Sequence, residues 1–176
     1  MRRALLMVLA AAPLLAQQPQ GSSSANASVT AAKGVWQIAL GFASRAAEQM
    51  PESLYTFQPT KDIRTFGQLV GHVADAQYAF CAAALGEKSP MTVNHEQSTK
   101  SKAALVQAVK DAGTYCQRAY AMSDATSAAQ VELFGMKMTK LGVLILNASH
   151  DYEHYGNMVT YLRLKGMVPP SSQQSP

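Results

Sequence analysis

The sequence predicts an all-α fold, a four-helix bundle. Four stretches of about 20 residues repeat apolar side chains at helical spacing. Glycines, prolines and polar runs separate them, and no stretch reads as a convincing strand. Of 176 residues, 48% are hydrophobic and 15% charged, enough for one domain with a sizeable core.

The first helix reads from Val29 to Met50, where Pro51 stops it. Val35, Ile38, Leu40, Phe42 and Ala46 suit its packed face. A turn-rich segment follows, with Pro59 excluding a helix. The second helix runs from Thr65, a suitable N-cap, to Leu85, with Phe66, Leu69, Val70, Val73 and Phe80 at helical spacing and Gly86 as its stop. Beyond "EKSPMTVNHEQSTK", the third helix runs from Ser101 to Met122 on a stripe of Leu105, Val109, Ala112, Cys116 and Ala119. "SDATSAAQVELFGMK" reads as a linker. The fourth helix runs from its Thr139 cap to Lys165 and ends at Gly166, Pro169 and Pro170. Short links join antiparallel neighbours, whereas the roughly 15-residue connection between helices two and three can return along a ~30 Å bundle. That favours a parallel second and third helix.

The ends of the chain carry different information. "MRRALLMVLAAAPLLAQQPQ" reads as a secretory signal: Arg2 and Arg3, then an apolar run from Ala4 to Ala16 that is short for a membrane span. Cleavage is expected after Ala16, giving an exported protein with no stable membrane span. Residues 17–28 form a flexible linker, 29–168 the bundle and 169–176 a disordered tail. Arg2 and Arg3 supply two of the net +4 charges, leaving +2, and no basic block alternates with aromatics, so nucleic acid is not an expected partner.

Cys81 and Cys116 lie at similar depth in their helices. Export would allow them to form one disulfide; otherwise they are two buried thiols. Their spacing excludes a zinc ribbon.

On the fourth helix, Val143, Leu146, Asn147, His150, His154, Asn157 and Tyr161 share one stripe, which changes from apolar to hydrogen-bonding. Leu141, Leu144, Ile145, Ala148 and Val159 continue the core pattern. Buried polar groups without partners cost ~1–3 kcal/mol each, so such a stripe needs a purpose. His150 and His154, one turn apart, can converge on one ion. His72 on the second helix, among Leu69, Ala76, Ala79 and Ala83, supplies a third imidazole. Three imidazoles suit Zn²⁺, Ni²⁺ or Fe²⁺ and leave a position open; hydrogen-bonded core histidines are the alternative. His95, in the polar connection, reads as a surface residue. Asp75, Asp151 and Glu153 are weak candidates for assisting chemistry, with Asp75 placed to orient His72. Asn147, Asn157 and Tyr161 are candidate pocket-lining residues.

"FGQLVGHVADAQ" and, some 78 residues later, "HDYEHYGNMVTYLRLKGMVPP" resemble the DinB family, over essentially the whole chain beyond the N-terminal signal. The resemblance implies an up-down-down-up bundle, often dimeric, with a divalent metal held here by His72, His150 and His154. Family members commonly carry Arg-Gly-Gln after the last ligand; Tyr155, Gly156 and Asn157 stand there instead, so the arginine's role is not carried over. The family includes thiol-dependent transferases and isomerases. The expected function is a metal-dependent hydrolase- or transferase-like enzyme acting on an unidentified small molecule. A non-catalytic, stress-related bundle that holds metal or a small ligand is the second reading, and a dimer-forming bundle with purely structural histidines the third.

Overall fold

The structure, a computed structural model, describes residues 26–173. The predicted signal and most of the predicted linker lie outside the described residues. In chain order the elements are α1 (Ala27–Gln49), a 3₁₀ turn (Glu52–Leu54), α2 (Phe66–Leu85), α3 (His95–Ser98), α4 (Lys102–Ala119), α5 (Asp124–Ser127), strands β1 (Gln130–Leu133) and β2 (Met136–Thr139), α6 (Lys140–Leu164) and a 3₁₀ turn (Pro170–Ser172). The protein is mainly helical. None of the described helices is long and apolar enough to cross a membrane.

Side chains cap α2, α4 and α6 at Thr65, Ser101 and Thr139, the residues at which the sequence reading starts those helices. Thr65 accepts from the Gln68 amide while the Gln68 side chain accepts from the Thr65 amide, a reciprocal capping box. Ser101 and Thr139 accept from Ala104 and Gly142 in the same way. Gly86, with φ +77°, ends α2 in the left-handed region that favours glycine.

The core lies between α1, α2, α4 and α6 and falls into two clusters. One gathers Phe66, Leu69, Val70 and Val73 of α2 with Leu105 and Val109 of α4 and Met158 and Leu162 of α6. The other joins Trp36, Phe80, Cys81, Cys116, Tyr120, Val143 and Leu144. The face that α1 buries is mostly alanine (Ala32, Ala39, Ala43, Ala46 and Ala47), with Val29 and Trp36 at one end. Val35 and Ile38, expected on that face, are exposed at 47% and 52%, and Ile145 of α6 at 51%. Small side chains let α1 lie close to α6, so the helix packs on its alanines and turns Val35 and Ile38 outward. Gly67 of α2 lies against Leu105, and a disulfide joins Cys81 to Cys116 with Cα atoms 5.3 Å apart; the two contacts advance together along α2 and α4.

Three segments differ from expectation. The linker before α6 contains a hairpin, in which Leu133 pairs with Met136 across Phe134 and Gly135. Both turn residues have positive φ, 51° and 79°, as a type I′ turn requires. Phe at the first of these positions hides the usual Asn-Gly signature. The connection between α2 and α4 contains α3, a single turn too short for periodicity to reveal. The tail does not become disordered at Pro169: Pro169 and Pro170 are buried, and Ser171 bonds the Tyr155 hydroxyl through its amide and its side chain.

Candidate metal centre

α2 contributes His72, and α6 contributes His150 and His154. The Nε2 of His150 lies 3.2 Å from that of His72 and 2.9 Å from that of His154. One ligand atom from each of the three residues can be chosen so that all lie within 4.8 Å of one another. Nitrogens ~2.0–2.1 Å from a shared tetrahedral ion would stand about 3.3 Å apart, so the spacing suits a cation. The donor chemistry agrees. Burial, and then the neighbouring charges of His72 and Arg64, lower the His150 pKa to about 4. Burial, followed by His150, His72 and Arg64, lowers that of His154 to about 3 despite an opposing contribution from Glu96. The neutral rings of His150 and His154, turned with His72 toward one point, satisfy each other poorly through protons alone, and a cation can take a lone pair from each of the three. The Nδ1 of His150 is buried and, among the described residues, has no hydrogen-bond partner.

The surroundings hold the rings in place. His72 Nδ1 meets Glu96 Oε2 at 2.8 Å, and Glu96 Oε1 accepts from Arg64 Nε at 2.8 Å. Burial pushes the Glu96 carboxyl up, but the hydrogen bonds and charges of Arg64 and His72 outweigh it and hold the carboxyl below the ordinary range. Asn157 Nδ2 lies 3.4 Å from His154 Nδ1. The Phe80 ring covers His150 at 5.2 Å between centroids, and Phe134 at the hairpin tip meets Phe80 edge-on at 5.9 Å. A pocket of about 380 Å³ adjoins the cluster, lined by Asp62, Ile63, Arg64, Leu69, Glu96, Asn157 and Tyr161. It touches the histidines through Glu96 and Asn157.

Several sequence expectations change here. Asn157 and Tyr161 line the pocket, whereas Asn147 is fully buried and bonded to Gln77 and the Tyr120 hydroxyl. Sharing a stripe with the histidines fixes its heading but not its depth. Asp75 does not orient His72; its two oxygens accept the amides of His95 and Glu96, each at 3.0 Å. Asp151 is buried, with both oxygens accepting from Gln77 Nε2, and burial pushes its carboxyl well above the ordinary range. Glu153 is exposed on α6. His95 is not a plain surface residue: it begins α3, its side chain is 19% exposed, and its Nδ1 stands 4.0 Å from Asp75. Glu96 and Arg64 escaped sequence reasoning because nothing in the spacing of "NHEQ" shows which helix that turn rests on.

A mainly helical fold that gathers three imidazoles from two helices defines a candidate metal-binding bundle. Residues 42–158, more than half of the chain, match the family model of the DinB superfamily, and the chain belongs to that family. Among curated proteins, none matches. Solved structures of similar fold include a DinB-like protein from Bacillus cereus, at TM-score 0.70 and 15% identity, covering 80% of this chain and 95% of that one. Another is a DinB-like protein (YjoA) from Bacillus subtilis, at TM-score 0.60 and 20% identity, covering 85% and 100%. A mutant of a mycothiol-dependent maleylpyruvate isomerase has TM-score 0.62 and 17% identity, covering 74% of this chain and 60% of that one.

Proposed function

We propose that this DinB-superfamily protein is an exported metalloprotein of up-down-down-up topology that holds one divalent ion, Zn²⁺, Ni²⁺ or Fe²⁺, on His72, His150 and His154. It uses the ion as a hydrolase- or transferase-like enzyme acting on a small molecule. The observation that carries the proposal is the convergence of three imidazole nitrogens from two helices. The advancing contacts between α2 and α4 support the topology, and the apolar N-terminal run with one disulfide supports export. The family's thiol-dependent chemistry is less suited to an exported member, since low-molecular-weight thiols are mainly cytosolic.

An ion with an open position supplies Lewis-acid chemistry, polarising a substrate oxygen or sulfur or activating water. The chain's residues prepare for it. Glu96 Oε2, 2.8 Å from His72 Nδ1, would accept a proton held there and so leave the Nε2 lone pair for the cluster. Phe80 keeps water from one side of His150. The adjoining pocket offers Ile63 and Leu69 as apolar wall, with Arg64, Asn157 and Tyr161 as polar groups that orient a bound molecule.

A non-catalytic binder shares the metal site and differs only in turnover. Elemental analysis of untagged protein is expected to find about one divalent ion per chain, lost in His150→Ala. Unchanged stoichiometry in the variant overturns the proposed ligand set. A hydrolase and transferase panel with and without chelator separates enzyme from binder.

A further inference from the structure

The turn that carries Glu96 is fastened to α2 by residues that do not themselves contact the histidine rings. α3 has four residues, too few to hold a helical turn without tertiary support. Asp75 takes the first two amides of α3 on its two oxygens, and Asn94 caps the amide of Gln97 at 2.9 Å. Gly71 makes the approach possible: a Cβ there would stand 2.6 Å from the Glu96 amide nitrogen and 2.7 Å from the Glu96 Cα. Those atoms are backbone, so α3 would have to move. Gly71 and Asp75, one helical turn apart on α2, thus set the position of α3. Glu96 then reaches His72 on one oxygen and Arg64 on the other.

We infer that Glu96 is a positioning residue for His72, and that Gly71 and Asp75 control metal affinity through it by docking the connection between α2 and α4. The inference rests on the proposed metal site. A carboxylate accepting the Nδ1 proton selects one tautomer and one ring orientation, and removal of such a partner typically costs 10–100-fold in metal affinity. Metal binding and docking of α3 are then reciprocally linked, each favouring the other. Arg64 keeps the carboxylate in place by occupying its second oxygen.

The test uses the full chain, with Zn²⁺ affinity read by competition against a chromophoric chelator and the His72 tautomer read by ¹⁵N NMR of the metal-free protein. Glu96→Ala is expected to weaken Zn²⁺ binding 10–100-fold and to abolish the fixed Nδ1–H signature. Glu96→Gln, which keeps an acceptor oxygen, is expected to fall closer to wild type on both readouts. Gly71→Ala is expected to weaken binding in the wild-type background and to add nothing in the Glu96→Ala background, since its effect passes through Glu96. Circular dichroism confirms that each variant is folded. Affinity within about 2-fold of wild type in Glu96→Ala, or an undiminished Gly71→Ala effect in the double variant, overturns the inference. Wild-type protein that binds no metal overturns the proposed function instead, while the tautomer measurement on metal-free protein still decides what Glu96 does.

Discussion

The disulfide between Cys81 and Cys116 offers the most quantitative prediction. It closes a loop of 35 residues between α2 and α4. The chain-entropy relation assigns a loop of that length about 3.8 kcal/mol, through restriction of the unfolded chain. In a domain of this size such a loss lowers the melting temperature by roughly 8–15 °C. Both cysteines are fully buried, so reduction is best done in denaturant, followed by refolding under reductant. This leaves both sulfurs in place and avoids the cavity that alanine would create. Urea unfolding of oxidised and reduced protein measures the difference. Curves agreeing within about 1 kcal/mol, or two free thiols titrated in denatured protein without reductant, would refute the reasoning.

Two further predictions concern other parts of the bundle. Gln77 joins three residues in the core: its Oε1 accepts from Trp36 and Asn147, and its Nε2 reaches Asn147 and Asp151. Gln77→Leu strands several buried polar groups and is expected to cost about 3–5 kcal/mol in urea unfolding; a loss under 1 kcal/mol contradicts the network's role. Asp124 accepts the amides of Val29 and Ser28 at the start of α1, and these bonds hold its carboxyl below the ordinary range. A depressed carboxylate contributes stability above its unfolded pKa of ~3.9 and loses it as pH falls through the folded value. The melting-temperature gap between wild type and Asp124→Asn should therefore be open at neutral pH and close in acid, and a pH-independent gap counts against the assignment.

The long helices were legible because they are written in strong local terms: caps at Thr65, Ser101 and Thr139, a stop at Gly86, and apolar repeats on α2 and α4 that are buried as expected. The first helix was legible in extent but not in orientation. Alanine carries little hydrophobic signal, so Val35 and Ile38 dominated the reading while Ala39, Ala43 and Ala46 took the core. At the site, the one-turn spacing of His150 and His154, the face of His72 on the second helix and the family resemblance singled out three histidines that the fold brings together, because helical heading follows from residue number. Depth along the stripe does not, which is why Asn147 was misplaced. Glu96 depends on a tertiary approach whose sequence trace is Gly71 and Asp75 at i and i+4, a pattern that acquires meaning only once α3 is seen lying across it.

Anomalous diffraction from crystals grown with one candidate metal, recorded on both sides of its absorption edge, tests the central claim most directly. A single peak about 2.0–2.1 Å from the Nε2 atoms of His72, His150 and His154 is the predicted result. A map without a peak among those rings, or with one bounded by other side chains, would contradict it.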